Sequence, residues 1–559
     1  MSYKELYIIM GKKEETKEKK HNIENKEHSK KNGKKGNSGF NKISRFVNST
    51  LFGLIISVIH IVVTCFLLAE ILYLNMLPVK IFVPVCLLVL VLCAVAFLMA
   101  FAGKKVRAVG KLISLLMVAV SVVGIYYISK VNNAIDGIAG SNTKTDVVNV
   151  YVMKADKAKD INDAKDYTFG IMGVLDRTNT DKTIASVEKE VGQKIATEEY
   201  EGYLQLVDAL YDGEVEAIII NEAYISQITD DEAYASFETV TKVLHNESHE
   251  TQLDVDTDKE LNDNVFTMYL SGIDVRGKIT NTSRSDVNVI AVINPDTRQV
   301  LLLNTPRDYY VPLSISNGIE DKLTHAGIYG VDVSMETLEM LYDMELDYYF
   351  RVNFTGFEDV IDALGGIDIY SDYAFTTTHG GYRIKKGMNS LNGKQALGFA
   401  RERYSLPSGD NQRGKNHMAI IEAVINKAAS SSILNDFTGL MESLEGSFQT
   451  SMSSTQISSL VRMQLEEGGS WNVVDYAVEG TGASMHVYSM SSKAYVSIPD
   501  YTTVDIAKKL IQMVYDGETL SDEIIDELVE KSTETEDSNS GKNNTSDKTS
   551  SDNDNDDDN

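Results

Sequence analysis

The sequence predicts an α/β protein with three N-terminal transmembrane helices, followed by a small α/β accessory unit and a larger α/β unit. Two observations carry this. Three apolar runs, at residues 51–73, 79–102 and 112–128, each approach the roughly 20 residues that a helix needs to cross the hydrocarbon of a bilayer. Beyond them, segments with strand alternation trade places with segments of helical spacing, first over residues 146–250 and again over residues 265–428.

The chain has 559 residues and a formal net charge of −28, which argues against a nucleic-acid partner, since phosphate backbones select basic surfaces. The charge is uneven. Residues 1–50 are rich in Lys, Glu, Asn and Gly, and read as a disordered basic tail. The first two apolar runs are joined by Leu74-Asn75-Met76-Leu77-Pro78, the second and third by a loop carrying Lys104, Lys105, Arg107 and Lys111. Positive-inside reasoning places the basic loop and the basic tail in the cytoplasm, so three spans over residues 51–130 deliver the rest outside. A cleaved signal peptide fits poorly, because a long polar stretch precedes the first apolar run. The chain's 3 cysteines, Cys65, Cys86 and Cys93, all fall in the spans. The outer part therefore depends on a buried core and not on disulfides.

Residues 146–250 contain the strand-like VVNVYVM, YTFGIMG and EAIIIN and the helix-like IASVEKEVG and YLQLVDALYDG, which makes a small accessory α/β unit. Part of it, GEVEAIIINEAYISQI, is similar to segments of extracytoplasmic solute-binding domains. It either binds something or serves as a spacer. HNESHE, with His245, His249 and Glu250, lacks the His-Glu-x-x-His spacing of a metal helix and reads as a polar linker.

The chemistry is concentrated in residues 262–430. Asp274 and Arg276 stand two apart, as do Arg284 and Asp286; Arg307-Asp308 closes a predicted strand; Arg401 and Arg403 are again two apart; and Asp410 and Arg413 are three apart where a helix begins. Residues i and i+2 of a strand, or i and i+3 of a helix, share a face. Arginine forks suit phosphate oxygens, and carboxylates suit Mg²⁺, so the set fits a pyrophosphate with a divalent cation. Taken singly, each pair is also compatible with an ordinary surface salt bridge. METLEMLYDME has helical spacing, YYFRVNF alternates as a strand, and FEDVIDALGG ends in the helix stop Gly365-Gly366.

The ordered blocks GIDVRG, TSRSDVNVIAVINP, LLLNTPRDYYV, KLTHAGIYG, DYYFRVNFTGFEDVIDALGGIDI, LNGKQALGFARERY and GDNQRGKNH resemble the catalytic domain of the LytR-CpsA-Psr family over roughly residues 265–428. The resemblance implies an α/β/α-layered catalytic domain with a mixed central sheet, anchored in the cell membrane of a Gram-positive bacterium and facing outward. It implies a phosphotransferase that moves an anionic glycopolymer, of capsule or teichoic-acid type, from undecaprenyl pyrophosphate to peptidoglycan. Such a substrate needs an apolar tunnel, for which Phe354, Phe357, Val360, Ile361 and Leu364 are candidates, although their type and spacing read first as ordinary core. In this reading Arg276, Arg284, Arg307, Arg401, Arg403 and Arg413 bind the pyrophosphate, and Asp274 and Asp286 hold Mg²⁺. Asp308 or Asp274 takes the proton from the acceptor hydroxyl. Asp410 either orients Arg413 or caps the helix. Lys322 and His325 either touch substrate or fix their loop. The chain departs from the family at His417, where many members have Gln.

A non-catalytic envelope protein that binds lipid-linked polymer and regulates its assembly is the alternative class. The two metal-type carboxylates favour catalysis. Residues 431–530 form a C-terminal extension of helical patches around a mixed stretch, and residues 531–559 read as a disordered acidic tail.

Overall fold

The computed structural model describes residues 46–253, 265–273, 279–407, 409–430 and 446–543. The tail expected over residues 1–50 and the acidic tail therefore lie largely outside the described residues.

Residues 1–129 and 130–559 are two compact units. The first is helical, with α1 (Thr50–Leu74), α2 (Val79–Met99) and most of α3 (Lys104–Ile138), three helices long and apolar enough to cross a membrane. α3 starts earlier and ends later than its apolar run, because Lys104 to Lys111 continue the helix where a loop was expected. Leu51, Val62, Leu88 and Leu116 expose their side chains, as a lipid-facing surface requires. His60, costly in lipid, turns inward, its Nε2 3.4 Å from Cys93 Sγ of the neighbouring helix.

In the second unit, β1 (Thr143–Met153), β2 (Thr168–Met172), α4 (Arg177–Val191), β3 (Ala196–Tyr200), α5 (Tyr203–Asp212), β4 (Ala217–Asn221), α6 (Ile225–Asp230) and β5 (Thr241–Gln252) form the accessory fold. Its sheet order is β3-β2-β4-β1-β5, and the continuous Ile218-Ile219-Ile220 run is covered on both faces. The sequence reading of HNESHE as a linker is corrected: these residues lie in β5, which pairs antiparallel with β1 from Thr143 to Met153 with a register shift between Val150 and Tyr151. As an edge strand packed on one side only, β5 alternates polar and half-buried residues and lacks the apolar run that marks a central strand.

The larger fold has a mixed sheet ordered β12-β9-β6-β7-β8-β13, from β6 (Phe266–Ile273), β7 (Ser285–Asn294), β8 (Gln299–Asn304), β9 (Tyr348–Asn353), β12 (Phe448–Thr450) and β13 (Asn472–Ala477). β12 and β13 come from the stretch expected as an extension. They close the two sheet edges, β13 running parallel to β8 and β12 antiparallel to β9. Between these strands lie α7 (Leu323–Tyr329), α8 (Val331–Tyr342), α9 (Phe354–Ala363), the pair β10 (Ile367–Ser371) and β11 (Gly387–Leu391), α10 (Gly393–Ala400), α11 (Asp410–Ala428) and α12 (Ser454–Glu467), and α13 (Tyr501–Tyr515) follows the last of these strands. Alternation sorts the sheet's side chains into two sets. Tyr269, Ile290, Val292, Leu301 and Leu303 pack densely against Leu338 and Tyr342 of α8 and Leu510 and Val514 of α13. Met268, Leu270, Ala291, Ile293 and Val300 face the other way, toward Met418, Ile421 and Ile425 of α11. That second layer does not close completely.

Candidate functional site

Between the sheet and α11 runs a cavity of about 1510 Å³. Most of its wall is apolar: Met268, Leu270, Ala291 and Ile293 of the sheet, Phe354, Phe357, Val360 and Ile361 of α9, Ile420, Ile421, Val424 and Ile425 of α11, and Leu460, Val461 and Trp471 from the C-terminal stretch. Of the five tunnel candidates named from sequence, Leu364 is absent from the wall. The sheet and α11 contributors were missed because an inward Val or Ile reads the same whether it faces a helix or a void.

The polar part of the same wall holds Arg284, Asp286, Arg307, Arg401, Arg403, Arg413 and His417. Each reaches it by local folding. β6 ends at Ile273, itself in the wall and paired with Ser285, next to a bulge at Gly272, where a Cβ would meet Val287 Cγ2 at 2.7 Å. Asp274 and Arg276 lie just outside the described residues. Pro306 cannot donate to the sheet ladder, and β8 stops at Asn304, two residues before it. Arg307 follows, with Nη1 3.1 Å from Asp286 Oδ2. Thr324 Oγ1 donates to Asp286 Oδ1 at 3.3 Å, and Thr324 N donates to Arg307 O at 2.8 Å. Burial alone would raise the Asp286 pKa, but the guanidinium charges of Arg307, Arg284 and Arg413 outweigh it and hold the carboxyl below its ordinary value.

Arg401 and Arg403 are not on a strand, as their spacing suggested. α10 ends at Ala400 and the chain turns. Glu402, 1% exposed, fixes the turn by accepting bonds from Thr378 N, Thr378 Oγ1, Arg403 N and Ser405 N. Burial opposes its charge, yet these donors pull its pKa below the ordinary value. With Glu402 turned inward, its two neighbours line the cavity. Arg401 lies 4.3 Å from the Phe354 ring centre and Arg403 4.6 Å from that of Tyr404. Arg413 sits in the first turn of α11, which begins at Asp410 after Gly409; the Asp410 side chain is outside the described residues.

Asp308 is not in the wall. It is held by Lys322 Nζ at 3.1 Å and Arg307 Nε at 3.6 Å. His325 lies in α7, where a loop was expected, and is buried, its Nδ1 2.7 Å from Asp321 Oδ1 and 2.8 Å from Ser489 Oγ. His417 Nε2 lies 2.9 Å from Ala400 O, and burial, reinforced by Arg413, lowers its pKa to about 3. The imidazole is therefore neutral at physiological pH. Among the described residues no group of three or more His, Cys, Asp or Glu is arranged to hold a metal.

An apolar cavity with arginines and an ionised carboxylate along one part of its wall is chemically complementary to an amphiphile whose head is a multiply charged anion. The family model for LytR_cpsA_psr matches residues 230–508. A relative from Oceanobacillus iheyensis, named polyisoprenyl-teichoic acid–peptidoglycan teichoic acid transferase TagU, is 32% identical over 245 residues, 42% of this chain and 74% of that protein. The chain belongs to the LytR-CpsA-Psr family. The protein of the same name from Bacillus licheniformis is 34% identical over 208 residues, 37% of this chain but slightly under two thirds, 65%, of that protein. Among solved structures, the crystal structure of B. subtilis TagV matches 46% of this chain and 100% of its own at 25% identity, with a TM-score of 0.40. All but the last part of the accessory fold, residues 143–252, precedes the family match.

Proposed function

We propose that this member of the LytR-CpsA-Psr family is a membrane-anchored phosphotransferase. It moves an anionic glycopolymer of the teichoic-acid or capsule type from undecaprenyl pyrophosphate to peptidoglycan, on the outer side of the membrane. The observation that carries the reading is the shared wall of one cavity: five arginines and Asp286 beside an apolar volume of about 1510 Å³. A long prenyl chain gains about 0.8 kcal/mol for each CH₂ it takes out of water, so the apolar part holds the lipid. The arginines hold the diphosphate, and charge moves toward the leaving lipid phosphate as the acceptor hydroxyl attacks.

Asp286 fits Mg²⁺ by chemistry, being an ionised, half-buried carboxylate in the phosphate-binding part of the wall, with Asp274 as the proposed second ligand. When bound, the cation supplies Lewis-acid stabilisation of the phosphate oxygens. Arg307 keeps Asp286 ionised and in place, and Asp308 with Lys322 steadies Arg307 from behind. That leaves Asp274 as the proposed proton acceptor.

The test is incubation of the purified chain with a lipid-pyrophosphate-linked glycan, Mg²⁺ and peptidoglycan fragments. A covalent glycan–peptidoglycan product that disappears in Asp286→Ala and Arg401→Ala supports the reading. No product from the unaltered protein, or equal product from both variants, defeats it.

A further inference from the structure

We infer that the accessory unit is a working part of the site, and that Asp230, at the end of α6, is a positioning residue for Arg284. This rests on the diphosphate-binding reading above and extends it to a domain the sequence offered as a binding module or a spacer.

Arg284 stands apart from the other arginines of the cavity. Its side chain is only 10% exposed, and its Nη1 is 2.5 Å from Asp230 Oδ2, a carboxylate carried by the accessory fold and itself in the cavity wall. Its Nε is buried and has no hydrogen-bond partner among the described residues, so among the described contacts the fork is held through Nη1. The backbone that carries Arg284 is gripped on both sides. From the accessory strand β1, Thr145 N donates to Thr280 O and Thr282 N donates to Thr145 O, each at 3.0 Å, and Thr282 Oγ1 donates to Asp146 Oδ1, also at 3.0 Å. From the catalytic fold, Arg351 Nη2 donates to Asn281 O at 2.8 Å. A Cβ on Gly327 of α7 would come within 2.5 Å of Ser283 O.

With the main chain fixed, the direction of the guanidinium depends on its partner. Asp230 is the more exposed of the two, 61% against 10%, so it holds the fork by one nitrogen from the solvent side. The remaining nitrogens are then presented to a ligand in a fixed plane, as bidentate phosphate recognition requires. Without the carboxylate the cation is free to rotate, and a bound anion must order it.

The experiment measures binding of geranylgeranyl diphosphate to the full-length chain in detergent by titration calorimetry. Asp230→Ala is expected to weaken binding about tenfold, and Asp230→Glu to restore most of it. Combining Asp230→Ala with Arg284→Gln should cost no more than Arg284→Gln alone, because both act through one guanidinium. Glu232→Gln, an exposed neighbour, should bind as the unaltered chain does. Unchanged or tighter binding by Asp230→Ala, or losses that multiply in the double variant, would overturn the inference and leave the diphosphate reading standing. Failure of the unaltered chain to bind the diphosphate would overturn both.

Discussion

Arg307 Nη1 and Asp286 Oδ2 stand 3.1 Å apart in the wall of a cavity whose remaining surface is mostly apolar. The pair sets the sign and shape of the site. Arg307 keeps the carboxylate ionised, and the carboxylate keeps a planar fork in one orientation. Arg307→Lys preserves the charge and loses the fork, so transfer should fall by about 100-fold or more, with little change in thermal stability. Initial rates of product formation beside a melting curve check this; near-normal transfer by the lysine variant would show that only charge is needed.

If the apolar cavity holds the lipid as proposed, a bulky side chain in its wall plugs it. Ala291 is 4% exposed and sits in the apolar wall. Ala291→Phe should weaken geranylgeranyl diphosphate binding by at least about tenfold and leave inorganic pyrophosphate binding unchanged, at a stability cost of about 1–3 kcal/mol for overpacking. Titrating both ligands into both proteins measures the difference.

His417 yields a pH prediction. Its folded pKa is near 3, below the ordinary imidazole value of 6.5, so the folded state takes up the proton less readily than the unfolded chain. The stability this reflects is fully present above pH 6.5 and is lost as pH falls from there toward 3. His417→Gln should remove about 2 kcal/mol of the stability difference between pH 6.5 and pH 4.5. Denaturant melts at the two pH values provide the measurement. Transfer near neutral pH should show no inflection attributable to this residue.

Gly327 makes a stability prediction tied to the site. A methyl group at that position meets backbone atoms, Ser283 O at 2.5 Å and Ser285 N at 2.8 Å, which cannot swing aside as a side chain would. Gly327→Ala should cost at least about 1–3 kcal/mol and, by displacing Arg284, weaken diphosphate binding. A stable variant with normal binding would show that the strand start tolerates movement.

Much of this was legible in the chain. The apolar runs, three of the five accessory strands and most of the charged residues of the cavity follow from periodicity and spacing. The reasons were sometimes different from the outcome. Arg401 and Arg403 share the cavity because buried Glu402 pins a turn, whereas their spacing suggested a strand. Asp308 looked like a partner of the site but pairs with Lys322 and Arg307 Nε and is not in the cavity wall. Long-range pairings left no local trace: Asp230 meets Arg284 across 54 positions, and β12 and β13 join the sheet from a stretch whose pattern named no partner. β5 escaped notice because an edge strand needs no apolar run.

The most direct measurement is a structure of the protein with geranylgeranyl diphosphate bound. The account predicts both phosphorus atoms among Arg284, Arg307, Arg401, Arg403 and Arg413, with the prenyl chain lying between Ala291 of the sheet and Ile421 of α11. A diphosphate bound elsewhere, or a prenyl chain lying outside the cavity, would contradict it.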